Sequence, residues 1–193
     1  MRIGFGYDSH RFEEGRRLKL AGVLIPDQPG LSGHSDGDAV AHAVADALFG
    51  AAAAGDIGQH FPSGDPRWEG ADSMDLLTRA VRIVEAEGYN VSNVDITVIC
   101  ERPKIALYAT AMRARLAKVL GLGPDAVSVK GKTDESMGWT GSGEGLAVHA
   151  VVLLDEAKDR GSFRDLETSG GPPPVDQILT LLGNAPPFLI YIV

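Results

Sequence analysis

The chain has 193 residues, 44% of them hydrophobic and 23% charged, which suits one domain with a buried core and leaves little room for a second. Its formal net charge of -8 argues against nucleic acid or an anionic membrane as a partner drawn in by bulk electrostatics. The single cysteine, Cys100, excludes an intrachain disulfide framework. Met1 to Gly6 lacks a signal-peptide pattern, and no apolar run reaches the roughly 20 residues that a bilayer requires. The expected location is therefore the cytoplasm.

In chain order, Arg2 to Tyr7 predicts a first strand and Leu18 to Ile25 a second, joined through the polar Glu13-Glu14-Gly15 turn. Gly30 to Gly37 reads as a glycine-punctuated loop, and the alanine-rich run Asp38 to Ala54 as a helix stopped at Gly55. Residues 56–66 hold too much glycine and proline for helix or central strand. Ser73 to Glu87 predicts a second helix, with Leu76, Leu77, Ala80, Val81 and Val84 as its buried stripe and Gly88 as its stop. Val94 to Cys100 alternates like a strand, Pro103 suits the first turn of a helix reaching Leu120, and Val127 to Val129 make a short strand. A glycine-rich loop spans 131–145, and Leu146 to Leu154 close the set as a final strand. The order β-β-α-α-β-α-β-β predicts an α+β fold, a single domain over 1–157 in which helices cover a mixed sheet. Residues 158–193 carry Pro172-Pro173-Pro174 and an apolar ending, read as an extended, linker-like tail with a sticky last segment.

Chemistry enters first at Asp8-Ser9-His10. Residues two apart in a strand share a face, so a carboxylate and an imidazole converge there. That pair suits half of a zinc site, although a polar strand end would show the same pattern. The second signal is Gly33-His34-Ser35-Asp36-Gly37-Asp38, which opens the alanine-rich helix. Asp38, His42 and Asp46 are spaced four apart, so they line one stripe of that helix, and burying such a stripe is costly without a partner. Amides at the helix start, beside His34 and Ser35, make an anion cradle. Asp8, His10 and His42 together form a three-ligand set with an open fourth position; Asp38 is the rival for Asp8, and Asp38 and Asp46 are alternatively orienters of His42. The third signal, Lys130-Gly131-Lys132-Thr133-Asp134-Glu135, fits a phosphate with a hard cation at Glu135, or else an ordinary charged loop. His60 and His149 read as structural, and Cys100 as a small half-buried residue rather than a nucleophile.

Taken together, Gly4-Phe5-Gly6-Tyr7-Asp8-Ser9-His10-Arg11-Phe12, Gly33 to Asp38 with His42, Gly55-Asp56-Ile57-Gly58-Gln59-His60-Phe61-Pro62, Glu101-Arg102-Pro103-Lys104, and Lys132-Thr133-Asp134-Glu135 with Gly138-Trp139-Thr140-Gly141 resemble one family in order. It is the 2-C-methyl-D-erythritol 2,4-cyclodiphosphate synthase family, and the resemblance runs from Met1 to about Glu156. It implies a homotrimer with active sites between subunits. The implied substrate is 4-diphosphocytidyl-2-C-methyl-D-erythritol 2-phosphate, a cytidine diphosphate derivative that is cyclised with release of CMP in the non-mevalonate pathway. It implies one Zn2+ per subunit on Asp8, His10 and His42, and Mg2+ or Mn2+ held near the diphosphate by Glu135. His34 and Thr133 are the implied catalytic residues, stabilising the transferring phosphoryl group. Ser35 is implied at a phosphate, Asp56 and Gly58 at the erythritol, and Phe61 to Asp65 as a flap. Cys100, Pro103, Lys104 and Ala106 are implied at the nucleoside, and Lys132, Trp139 and Ser142 as further substrate contacts.

The chain departs from the family pattern at Ser142, where many members carry an arginine facing a phosphate near the trimer axis, so a prenyl diphosphate there is not expected. Lys132-Thr133-Asp134 stands where a run of threonines is common. With no nucleotidyltransferase segment ahead of Met1, the single-activity form is expected rather than the fused one. Two other readings are a metal-dependent phosphohydrolase, separated by its release of free phosphate, and a non-catalytic trimeric binding protein, separated by loss of zinc.

Overall fold

Strand β1, Arg2–Leu20, carries the alternation that builds the fold. Gly4 and Gly6 face inward while Ile3, Phe5 and Tyr7 face outward. In the computed structural model, which describes residues 1–157, helix α1 (Ala39–Ala52) lies directly on this inner face. A Cβ added to Gly4 would stand 2.0 Å from the Ala47 carbonyl oxygen, and one added to Gly6 2.0 Å from that of Ala43. Only glycine permits this approach, and the alanines of α1 supply the matching small side chains. Gly6→Ala is therefore expected to cost on the order of 3 kcal/mol through overpacking, read as a lower urea unfolding midpoint.

Five strands form one mixed sheet in the order β2-β1-β5-β3-β4. Strand β2 is Val23–Leu31, β3 Tyr89–Ile99, β4 Val127–Lys132 and β5 Gly145–Glu156. β1 pairs antiparallel with β2 and β5, β5 antiparallel with β3, and β3 parallel with β4. Helix α1 packs on the sheet with α3 (Ser73–Ala86) and α4 (Ala109–Leu120) around it. Leu18, Leu48, Phe49, Leu77, Ile96, Met112, Leu116 and Leu154 are fully buried between these layers. The α+β expectation of a mixed sheet covered by helices holds. No helix among the described residues is long and apolar enough to cross a membrane.

The structure corrects several boundaries. β1 runs through Glu13-Glu14-Gly15 without a break, with irregular pairing to β2 there, and the first hairpin turns instead at Ala21-Gly22. Both residues have positive φ, 51° and 69°, the backbone of a two-residue turn that matches strand twist. The run Leu18 to Ile25 is thus divided between two strands. Helix α1 ends at an Ala53 C-cap with φ 57° rather than at Gly55. Residues 56–66 do contain helix: α2 (Ile57–His60) forms because Asp56 caps it, accepting from the Gln59 amide. Pro103 lies ahead of the helical segment, which begins as a short 3-10 turn, Ile105–Leu107, before α4. A one-turn helix α5, Gly138–Gly141, interrupts the loop before β5. The expectations for 158–193 fall outside the described residues.

Candidate functional site

The inward face of β1 continues past the two glycines to Asp8 and His10, and α1 presents His42 opposite them. Asp8 Oδ2 lies 2.9 Å from His10 Nε2 and 3.1 Å from His42 Nδ1. One ligand atom from each residue falls within 4.8 Å of the others, the grouping expected around a single ion. Burial opposes a charge on Asp8, yet hydrogen bonds and opposite charge from the two histidines hold its carboxyl down at about 2. Burial also opposes protonation of His10, but Asp8 and the Ser32 backbone raise its pKa above the usual histidine value. Two imidazole nitrogens and one carboxylate oxygen, with room for a further ligand, are the donor set that a catalytic divalent metal takes, and the residues fit such an ion.

Beside this cluster is a cavity of about 240 Å³ lined by His10, His34, Ser35, His42, Ile57, Gly58, Phe61, Ser63, Trp68 and Leu76. His34 stands exposed at its edge, whereas Ser35 is buried and its hydroxyl faces His42 Nε2 at 3.1 Å. Asp56 is spent in part on its own capping bonds. Phe61 meets Trp68 edge-on at 5.2 Å, and Asp65 holds the Arg67 guanidinium. Ile57, Trp68 and Leu76 have no part in the sequence reading of the site. Each is apolar, and an isolated apolar residue gives no local sign that it lines a cavity.

A second cavity, about 250 Å³, lies past the carboxyl ends of the parallel strands β3 and β4. Cys100, Glu101, Pro103, Lys104, Ile105, Ala106, Gly131, Lys132 and Thr133 line it. The crevice beyond parallel strand ends is a common ligand position, since loops diverge there and leave backbone groups free. Thr133 Oγ1 donates to Glu135 Oε1 at 3.0 Å, and Thr140 donates to Asp134, which pins the loop into α5. Burial, with Glu101 beside it, pushes the Cys100 thiol up to about 11, so it stays protonated and unreactive. Lys130 is not in this cavity: its Nζ is 2.6 Å from Asp95.

Two sequence alternatives fall away. Asp38 is completely buried and its carboxylate accepts from the Ala21, Gly22 and Ala41 amides, so the side chain neither joins the cluster nor bonds the His42 ring. Asp46 accepts from the Ile57 amide at 3.2 Å and ties α1 to α2. The groups that do meet the far nitrogen of His42 are Ser73 and Ser35. Ser73 follows Asp72, the N-cap of α3, and looks in sequence like part of an ordinary helix start. His60 is structural, stacked on Phe49 at 4.1 Å and donating to the Ala54 carbonyl oxygen. His149 sits by Phe5 and Tyr7 on the outer sheet face, and Trp139 and Ser142 lie in α5 and at its end, where the Ser142 hydroxyl contacts the Trp139 carbonyl and Glu144.

The chain is similar to a curated 2-C-methyl-D-erythritol 2,4-cyclodiphosphate synthase of Symbiobacterium thermophilum, 56% identical over 154 residues that make up 80% of this chain and 98% of that one. A solved 2C-methyl-D-erythritol-2,4-cyclodiphosphate synthase in a form bound to CDP superposes with a TM-score of 0.74 at 43% identity, covering 80% of this chain and 100% of that one. The bifunctional IspDF from Campylobacter jejuni superposes at 0.78 with 41% identity, over 80% of this chain and 42% of that longer one. The model of one family spans residues 1–155, the strands and helices that carry both cavities, and the chain belongs to that family, the YgbB family.

Proposed function

We propose that the protein converts 4-diphosphocytidyl-2-C-methyl-D-erythritol 2-phosphate into 2-C-methyl-D-erythritol 2,4-cyclodiphosphate and CMP. The observation that carries this reading is the Asp8–His10–His42 cluster opening onto the cavity with His34, Ser35 and Gly58. The relatives' names supply the reaction, and the bound CDP of a similar structure supplies the nucleotide class. In this reaction the 2-phosphate oxygen bonds to the β-phosphorus, the bond from that phosphorus to the bridging oxygen breaks, and the oxygen leaves with CMP. The nucleophile is already an anion, so no strong base is needed. The barrier lies in bringing two anionic groups together, which positioning and charge neutralisation lower.

Asp8, His10 and His42 would hold Zn2+, and Glu135 a Mg2+ or Mn2+ ion beside the diphosphate. Bound there, the cations supply Lewis-acid stabilisation of phosphate charge. His34 at the cavity edge and the Thr133 hydroxyl stabilise the transferring phosphoryl group. Ser35 sits at a phosphate, Asp56 and Gly58 hold the erythritol, and Phe61 to Asp65 close over it. Cys100, Pro103, Lys104 and Ala106 shape the nucleoside pocket, which Lys132 also lines, and Trp139 and Ser142 are further substrate contacts.

The active form is a homotrimer with sites between subunits. Two features of the chain support this. The lining residues of the two cavities are distinct, as expected where each substrate site takes one cavity from each of two copies. The outer sheet face also exposes Ile3, Phe5, Tyr7 and Val151 in adjacent strands, an apolar patch suited to burial against another copy. Phosphorus NMR of the protein with substrate, zinc and magnesium tests the proposal. Equal amounts of CMP and cyclic diphosphate are expected, whereas inorganic phosphate would identify a hydrolase instead.

A further inference from the structure

His42 has two ring nitrogens, and the structure gives each a distinct set of neighbours. Nδ1 faces Asp8 Oδ2, and Nε2 lies 2.9 Å from the Ser73 hydroxyl. The Ser73 hydroxyl is buried, 1% exposed, and donates its only proton to Asp36 Oδ1. Asp36 is an acceptor because Lys19 Nζ stands 2.8 Å from its other oxygen; Lys19 in turn is 2.6 Å from Asp72. Burial works against the Asp36 charge, but Lys19 and Ser73 keep its carboxyl below the usual range. With its proton committed to Asp36, Ser73 can only accept from His42. The Ser35 hydroxyl, 3.2 Å from Ser73 and 3.1 Å from His42 Nε2, accepts from the Gly37 amide; giving its own proton to Ser73 leaves it, too, an acceptor toward Nε2. The hydrogen bonds then run in one direction, from His42 to Ser73 to Asp36, with Lys19 closing the chain.

We infer that Ser73 and Asp36, anchored by Lys19, are positioning residues for His42: they accept the Nε2 proton, so that a metal entering between Nδ1 and Asp8 displaces only the Nδ1 proton and meets the lone pair there. The inference rests on the metal-site reading above. A ligating histidine whose second nitrogen donates outward is fixed in tautomer and ring angle, and losing such a partner weakens metal binding by about 10- to 100-fold. The chain reaches across the fold from β1, through the loop ahead of α1, to the first turn of α3, so packing of α3 feeds into the metal ligands.

The test measures Zn2+ affinity by chelator competition on the full-length protein, and the His42 tautomer by long-range proton–nitrogen NMR of the zinc-loaded form. Ser73→Ala is expected to lose about 10- to 100-fold in zinc affinity. Ser73→Thr, which keeps the hydroxyl, should restore it to within about 3-fold, a rescue that simple packing at this site would not produce. Binding of cytidine, which carries no phosphate to meet the cations, at the Cys100–Thr133 pocket should be unchanged in both. Wild-type protein should show a protonated Nε2 and a metal-bound Nδ1 on His42, a readout that decides the matter even if Ser73→Ala does not fold. Unchanged zinc affinity in Ser73→Ala, or metal on Nε2, overturns the inference. Zinc binding that is equal in wild type and His42→Ala would instead sink the underlying metal assignment.

Discussion

Replacing His42 with alanine is expected to abolish tight zinc binding and turnover together. The loss in metal affinity should exceed the roughly 10- to 100-fold that removal of a supporting partner costs, because a direct ligand disappears. Of the three-residue group, Asp8 would then keep only His10, at 2.9 Å. Glu135→Ala should behave differently. Glu135 lies in the loop after β4, outside the Asp8–His10–His42 group, and its carboxylate contacts Thr133 alone among the described hydrogen bonds. That variant should retain zinc at wild-type stoichiometry while losing magnesium-dependent turnover by about 100-fold or more, the scale of removing a group that stabilises transition-state charge. Metal analysis beside steady-state kinetics separates the two sites. Retention of full zinc occupancy by His42→Ala would show the ligand set to be wrong.

Asp38→Ala is expected to produce the largest loss of stability of any single substitution considered, about 3 kcal/mol or more, visible in denaturant unfolding at neutral pH. The carboxylate accepts from Ala21 and Gly22 in the first hairpin turn and from Ala41 in the first turn of α1. Alanine would leave those buried donors without partners and uncouple the turn from the helix. The same residue gives a signed pH dependence. Burial pushes its carboxyl up to about 6 against the pull of the amides, above the ordinary 3.8. The folded state therefore binds more protons than the unfolded one between those values, and this group's contribution to stability falls as pH rises from about 4 to about 6. Asp8 and Asp36, both lowered, act oppositely, and their contributions are lost as pH falls below the ordinary carboxylate range. Comparing the pH profile of wild type with that of Asp38→Ala between pH 4 and 6 isolates the Asp38 component, which the variant should lack.

Local patterns carry much of this architecture. Alternation in Gly4, Gly6, Asp8 and His10 puts two glycines and two ligand types on one strand face, and the alanine run from Ala39 onward specifies a helix slim enough to lie against it. The stripe of α3 is equally plain in sequence, and Leu76, Leu77, Ala80, Val81 and Val84 are all buried. The first hairpin is less legible. Glu13-Glu14-Gly15 has the composition of a turn, but pairing of β1 with β5 continues to Arg11 and with β2 resumes across the irregularity, so the long strand persists. Ala21-Gly22 becomes the turn because Asp38, distant in sequence, holds both of its amides.

Residue types and their periodicity determine, without any structure, that this chain makes a mixed α+β fold and that a strand and a helix each offer metal-binding side chains on one face. They do so because strand and helix periods are set by the local backbone. Which face meets which is decided only by tertiary packing. Asp38 and Asp46 share the helical spacing of His42, yet one turns to a hairpin and the other to the α2 amide, and Asp8 alone of the acids reaches the imidazole. Ser73 reaches His42 for the same reason: α3 packs beside α1, and no spacing along the chain records that contact.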